Sequence, residues 1–132
     1  MNFENLKVGL KNSAESFVTE NDTALSVSSG SLKVLATPKM IALMEKAAAD
    51  LVEKILPKNF TSVGISLNIQ HTAPTPVGIK ISAAAEIIEV NDRKILFEII
   101  AEDEQGEIGR GKHERFIVDR EKFQKKADSK KV

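Results

Sequence analysis

The hydrophobic positions of the chain follow a helical period in one segment and a strand period in most of the remainder. From Met40 onward, apolar residues recur every three or four positions, which predicts one amphipathic helix of about five turns. Thr37 is a suitable N-cap, Pro38 suits the first helical position, and Pro57 marks the end of the helix. The apolar stripe contains Ile41, Met44, Ala48, Leu51, Val52 and Ile55.

Four segments after this helix alternate apolar and polar residues, as strands with one buried face do. They span residues 63–70, 79–90, 94–103 and 108–118, and residues 13–18 form a weaker strand candidate before the helix. Turn residues separate the last three segments, at Asn91-Asp92 and at 104–107 with Gly106. In the first segment, Val63, Ile65, Leu67 and Ile69 are expected to share the face toward the helix, and His71 continues their row.

A single helix with one apolar stripe must bury that stripe against one sheet, and hairpin-linked strands favour an antiparallel sheet. The predicted fold is therefore α+β, a hotdog fold with one long central helix wrapped by a five-stranded antiparallel sheet. Another two-layer α+β sandwich is also compatible with the periodicity. We expect a single domain over residues 1–124, followed by a lysine-rich, frayed and solvated tail over residues 125–132.

Composition removes several classes of function. The formal net charge is zero, so bulk charge predicts no nucleic-acid partner. The chain has no cysteine, which excludes thiol nucleophiles, and its two histidines lack metal-ligand spacing, so neither a metal nor a cofactor is expected. No apolar run approaches the roughly 18 residues of a membrane span, and the N-terminal residues lack the apolar core of a signal peptide. We therefore expect a cytoplasmic protein with no membrane partner.

Three side chains are candidates for chemistry. His71 ends a row that faces the helix, so it is either a satisfied structural histidine or a functional one, acting as a general base or an orienting group. Glu45 lies at the edge of the buried helical stripe, where it reaches solvent, pairs with a lysine, or pairs with His71 if that imidazole is aimed at the helix. Thr37 caps the helix or presents its hydroxyl beside unpaired backbone N–H groups. Together they would form a usable set for acyl transfer.

The segment His113-Glu114-Arg115 in the last predicted strand is a weaker candidate. His113 and Arg115 share one face, and charge pairing between strands is a sufficient explanation for them. Gly109 and Gly111 do not form a nucleotide-binding motif, because no helix follows them as a phosphate site requires.

Three sequence blocks resemble the fluoroacetyl-CoA-thioesterase-like family of the hotdog thioesterase superfamily. The blocks are residues 34–45 (VLATPKMIALME), Val63-Gly64 with residues 71–78 (HTAPTPVG), and residues 108–115 (IGRGKHER). They occur in the family's order and spacing, and the similarity runs from about Lys33 to Phe123.

The resemblance implies a thioester hydrolase that acts as a homodimer, with active sites at the subunit interface and acyl-CoA as substrate, so that CoA is present only as part of the substrate. It implies that Thr37, Glu45 and His71 are catalytic and that the Gly64 N–H contacts the thioester carbonyl. Arg115 matches a substrate-side arginine. Residues 26–32 contain no aromatic residue, unlike the aromatic lid of fluoroacetyl-specific members. We therefore expect a different acyl group, either larger or less discriminated.

Two other functions are compatible with the same fold. One is a non-catalytic module that binds acyl-CoA or another small ligand. The other is a hotdog hydratase. Hydratases of this fold resemble one another in an Asp that is followed by a His five positions later. No Asp in this chain has that neighbour, so hydratase ranks last.

Overall fold

The computed structural model describes residues 3–131 and places one long helix against one antiparallel sheet. Five strands in the order β1-β3-β4-β5-β2 form this sheet, which confirms the predicted α+β hotdog arrangement. The weak strand candidate is β1, paired with β3. The elements are β1 (Lys11–Phe17), a short 3-10 turn (Glu20–Asp22), α1 (Thr37–Ile55), β2 (Phe60–His71), β3 (Lys80–Asn91), β4 (Lys94–Asp103), β5 (Gly106–Asp119) and α2 (Arg120–Asp128).

The core lies between the apolar stripe of α1 and the inward faces of the central strands. Alternate residues of β3 and β4 are at most 4% exposed, as their periodicity predicts. Each fully buried aliphatic or aromatic side chain contributes about 1.5–3 kcal/mol of transfer free energy. The strand residues are Ile81, Ala83, Ala85, Ile87, Ile95, Phe97, Ile99 and Ala101, and they meet Met40, Met44, Ala48 and Val52 of α1.

The prediction that Thr37 caps α1 is wrong by one position. Ala36 is the N-cap and supplies no side-chain hydrogen bond, so Thr37 and Pro38 are the first two helical residues. The Thr37 hydroxyl is instead hydrogen-bonded to Nδ1 of His71, at 2.8 Å. The hydroxyl therefore belongs to the site described below and not to the helix terminus.

The predicted single face of residues 63–71 is also wrong in part. A β-bulge interrupts the register of β2 with β5 between Gly64 and Ser66, and Ile65 is the extra residue. Cross-strand partners share a face, so Gly64 lies on the helix side with its partner Arg115. His71 also lies on the helix side. Leu67 is the cross-strand partner of the buried His113, and Ile69 and His71 share the face of Leu67 because side chains alternate along a strand. Val63 lies on the opposite face, opposite the partly exposed Phe116.

The C-terminal segment differs from the frayed tail expected from its lysines. Asp119 caps α2 by accepting a hydrogen bond from the Lys122 N–H, and the helix continues through Asp128. No residue of α2 is buried, so its side chains are solvated as expected. Between residues 3 and 131, no helix is both long and apolar enough to cross a membrane.

Candidate active site

One half of the candidate site is a hydroxyl–imidazole pair between the start of α1 and the end of β2. Thr37 Oγ1 lies 2.8 Å from His71 Nδ1. Both residues line an open cavity of about 290 Å³ whose other walls include Ala24, Ser29 and Ala73. A serine or threonine hydroxyl needs an adjacent base to become a nucleophile or to orient water. The pair therefore has the geometry that acyl transfer requires.

Burial lowers the pKa of His71 below its ordinary value of 6.5, against a smaller opposing effect of the Ala73 backbone. The imidazole is therefore mostly neutral at pH 7 and can accept a proton. Its second nitrogen, Nε2, is buried and has no hydrogen-bond partner in the described part of the chain. A buried ring nitrogen without a partner is unusual, and it leaves one position of the imidazole free for a ligand or another polar group.

The other half of the site is a carboxylate–guanidinium pair around Gly64. A Cβ atom added to Gly64 would lie 2.9 Å from Glu45 Oε2 and 3.4 Å from Arg115 Nη1, so the glycine gives both groups room. Glu45 Oε2 lies 3.8 Å from Arg115 Nη1. The Glu45 side chain is 39% exposed and that of Arg115 is 9% exposed. Glu45 is thus half-buried at the edge of the helical stripe, as predicted.

Within one chain these two halves do not meet. Thr37 and Glu45 are eight positions apart on α1, about 12 Å along the helix axis at roughly 1.5 Å per residue. Gly64 and His71 are seven positions apart on β2, about 23 Å along the strand at roughly 3.3 Å per residue. The structure brings Thr37 to His71, and Glu45 to Gly64 and Arg115. The predicted contact of Glu45 with His71 is therefore not made inside a single chain.

His113, beside Arg115, is a buried residue for which the sequence pattern predicted only charge pairing between strands. His113 is fully buried, and its Nε2 lies 3.1 Å from Arg115 Nη1. Burial lowers its pKa, opposed mainly by a hydrogen bond to the Ser66 backbone. Its shared face with Arg115 was visible in the sequence, but a strand period cannot distinguish a buried polar pair from an exposed one.

A second cavity, of about 370 Å³, lies between the loop after β2 and the β4–β5 hairpin. Its walls include Asp103, Glu104 and Glu107 and none of the candidate site residues. Three carboxylates make it unfavourable for a polyanion such as CoA, because like charges repel. The smaller cavity beside Thr37 is therefore the better candidate for the substrate.

Comparison with known proteins identifies the class to which this fold and site belong. Residues 18–121 match the family described as "Fluoroacetyl-CoA-specific thioesterase". The fluoroacetyl-CoA thioesterase of Streptantibioticus cattleyicolor is 36% identical over 98 residues, covering 74% of this chain and 70% of that protein. The solved structure of the fluoroacetyl-CoA thioesterase FlK superimposes with a TM-score of 0.91 at 29% identity, covering 96% of this chain and 98% of that chain.

A hot-dog-like protein from Thermanaerovibrio acidaminovorans superimposes with a TM-score of 0.89 at 22% identity, covering 100% of this chain and 98% of that chain, and shares the fold. The fold and the polar site together define a hotdog thioesterase, a hydrolase of acyl thioesters. Within that class, the chain belongs to the fluoroacetyl-CoA-specific thioesterase family. The family resemblance predicted from the three sequence blocks is confirmed, and so is the prediction that the protein is a thioester hydrolase.

Proposed function

We propose that this protein hydrolyses acyl-CoA thioesters of small acyl groups to free acid and CoA, using Thr37, Glu45 and His71 for catalysis. The observation that carries the proposal is the hydrogen bond of 2.8 Å between the Thr37 hydroxyl and a neutral, partly buried imidazole at the wall of a cavity. Membership in the thioesterase family and the name of the Streptantibioticus cattleyicolor relative support the same reaction.

In the proposed reaction His71 accepts a proton from the Thr37 hydroxyl or from a water molecule, and the resulting oxygen nucleophile attacks the thioester carbonyl carbon. The Gly64 N–H donates a hydrogen bond to the oxyanion of the tetrahedral intermediate. The C–S bond then breaks and the CoA thiolate takes the proton held by His71; where Thr37 is the nucleophile, water then hydrolyses the ester on Thr37, which releases the free acid and restores the hydroxyl. Glu45 orients or activates the attacking water, and Arg115 holds the Glu45 carboxylate.

We further propose that two copies of the chain form a homodimer through β2 and complete each site together. β2 is a long edge strand of 12 residues, and its apolar residues Ile65 and Leu67 are 50% and 44% exposed. Such an edge is a template for strand pairing. An antiparallel register with Gly64 opposite His71 of the partner subunit centres the two-fold axis between residues 67 and 68. Each site then combines the two halves from different chains.

The acyl group is proposed to be larger than fluoroacetyl, or less strictly selected. Apart from the Thr37–His71 pair, the cavity is lined by small and aliphatic side chains, and no phenylalanine is among them. Its volume is about 290 Å³ and it opens to solvent, so its walls do not confine the acyl group to the size of an acetyl. The cytoplasmic location, the lack of a cofactor and the lack of a nucleic-acid partner stay predictions from the sequence.

The test is a panel of acyl-CoA esters, from acetyl and fluoroacetyl through butyryl and hexanoyl to benzoyl, with thiol release measured by a thiol-reactive dye. Because the chain has no cysteine, the enzyme itself adds no thiol to this assay. Glu45→Gln and His71→Ala are each expected to lose about 10²–10⁴-fold in kcat/KM on the best substrate.

Asp50→Asn is the matched control for Glu45→Gln, because Asp50 is a carboxylate on the same helix that pairs with Lys46 at the surface. It is expected to keep the parental rate. Thermal stabilisation by CoA esters without turnover of any of them would instead identify a binding module. Parental rates in both Glu45→Gln and His71→Ala would show that the catalytic residues are wrongly assigned.

A further inference from the structure

The buried imidazole of His113 contacts both the Arg115 guanidinium and the backbone of β2 just after the bulge. His113 Nδ1 lies 2.9 Å from the carbonyl oxygen of Ser66, and its Nε2 lies 3.1 Å from Arg115 Nη1. A carbonyl oxygen only accepts hydrogen bonds and a guanidinium only donates them. The two contacts therefore assign His113 one state, the neutral tautomer with its proton on Nδ1.

The guanidinium of Arg115 is held at two separate places. On one edge, Nε donates to the Ser62 hydroxyl at 2.7 Å and Nη2 donates to the Ser62 carbonyl at 3.0 Å. At the other end, Nη1 donates to His113 Nε2 and lies 3.8 Å from Glu45 Oε2. Because the guanidinium is a rigid plane, the two contacts with Ser62 already orient it, and His113 adds a third contact at the end that approaches Glu45. The imidazole therefore holds Nη1 against displacement of the whole group toward or away from Glu45.

His113 is itself rigidly placed. It is fully buried, and its ring stacks on the fully buried Phe97 with centroids 6.3 Å apart and planes inclined by 28°. Burial lowers its pKa, which keeps the ring neutral and able to accept from Arg115. Its other contact, the Ser66 carbonyl, directly follows the bulge at Ile65 that places Gly64 on the helix side.

We propose that His113 is a positioning residue for thioester hydrolysis, which directs Arg115 onto Glu45 and fixes the β2 bulge beside Gly64. The proposal rests on the function proposed above. It assigns no contact of His113 with the substrate. It assigns a separate role to each ring nitrogen, Nε2 toward the guanidinium and Nδ1 toward the bulge, so the two roles can be removed one at a time.

Two substitutions separate the nitrogens. In His113→Gln the side-chain amide reaches the position of Nε2 and its oxygen can accept from Arg115. In His113→Asn the amide reaches only the position of Nδ1, so the Ser66 contact is kept and the Arg115 contact is lost. His113→Asn is expected to lower kcat about ten-fold with KM changed less than about two-fold, since small misplacements of catalytic groups are costly. His113→Gln keeps the Arg115 contact and loses the Ser66 contact, so it is expected to lower kcat less, to about one third of the parental value, and parental kcat would remove the role assigned to Nδ1.

A double-mutant comparison asks whether the effect passes through Arg115. In an Arg115→Gln background, His113→Asn is expected to cause no further loss, because the group that it positions is already absent. The same ten-fold loss in both backgrounds, or parental kcat in a folded His113→Asn variant, would overturn the proposal.

A measurement without turnover keeps this proposal separate from the proposed function. Nitrogen-15 NMR of the His113 ring at pH 7 is expected to show the Nδ1-protonated neutral tautomer in the parent protein. A ring that is charged, or protonated on Nε2, would contradict the proposal whether or not the protein turns over acyl-CoA. A parent protein with the expected tautomer and no turnover would overturn the proposed function and, with it, the positioning role.

Discussion

Replacing Gly64 with alanine tests how closely Glu45 is placed against β2. The new Cβ atom would lie 2.9 Å from Glu45 Oε2 and 3.1 Å from His113 Cε1. An ordinary contact begins near 3.4 Å, so the carboxylate must move by about 0.5 Å. Gly64 is not among the residues with positive φ, so the backbone itself accepts alanine. The strain therefore falls on the side chains of the site.

The expected effects on stability and on activity differ in size. Overpacking costs about 1–3 kcal/mol in a rigid core, but the Glu45 side chain is 39% exposed and can move. The loss of chain entropy in the unfolded state offsets about 0.4–1 kcal/mol. The melting temperature should thus change by no more than roughly 5 °C. The kcat/KM value should fall about 10- to 100-fold, since a misplacement of about 1 Å can cost 10²-fold.

Thiol release from the best acyl-CoA and a thermal melt measure both effects. Gly111→Ala is the comparison variant, because its Cβ would overlap the backbone carbonyl of Asn68, which cannot rotate away. That variant should lose far more stability than Gly64→Ala. A folded Gly64→Ala protein with kcat/KM within about two-fold of the parent would refute the assigned placement of Glu45 and Gly64 in the site.

Four other predictions concern the pKa of His71, the Thr37 hydroxyl and the exposed edge of β2. Because burial lowers the pKa of His71, the acid limb of kcat/KM against pH should have its midpoint below 6.5, and a midpoint above 7 would contradict a buried neutral base. Because the pKa of His71 is lower in the folded protein than in the unfolded chain, the unfolded chain takes up the proton at a higher pH. The free energy of unfolding should therefore fall as the pH drops below 6.5. Thr37→Ala should lose at least about 10²-fold in kcat while Thr37→Ser keeps most of it, and an active alanine variant would exclude a role for the hydroxyl. Leu67→Lys, on the exposed edge of β2, should shift the protein to monomers in size-exclusion chromatography and abolish turnover, and an active monomer would exclude a shared site.

Periodicity predicted the fold because the helix and the central strands bury one face each. The pairing of β3 and β4 is regular apart from register shifts near their ends, after Ile87 and after Ala101, so the inward residues follow directly from the alternation. The order of elements then allowed few arrangements of one helix on one sheet.

The alternation of apolar and polar residues could not predict the bulge at Ile65. Residues 64 and 71 are an odd number of positions apart, so strict alternation places Gly64 and His71 on opposite faces. One extra residue in β2 brings both to the helix side. The apolar Ile65 continues the alternating pattern in the sequence, and therefore nothing in the chain marks it as the inserted residue.

Thr37 and His113 show why local preferences did not settle the site. A threonine before proline at a helix start is a common cap, yet its hydroxyl is hydrogen-bonded to His71, a residue 34 positions away. His113 resembles a strand residue paired by charge until its burial is known. In both cases a contact distant in the sequence decides the role of the side chain.

Subunit mixing tests the account of a shared active site most directly. Glu45→Gln and His71→Ala are purified as inactive proteins, unfolded together and refolded, or exchanged as dimers, and then assayed for thiol release. If each site takes Glu45 from one chain and His71 from the other, half of the dimers are mixed and one of their two sites is intact. The mixture should then recover about one quarter of the parental activity. An active parent whose mixed variants recover no activity would contradict the shared site.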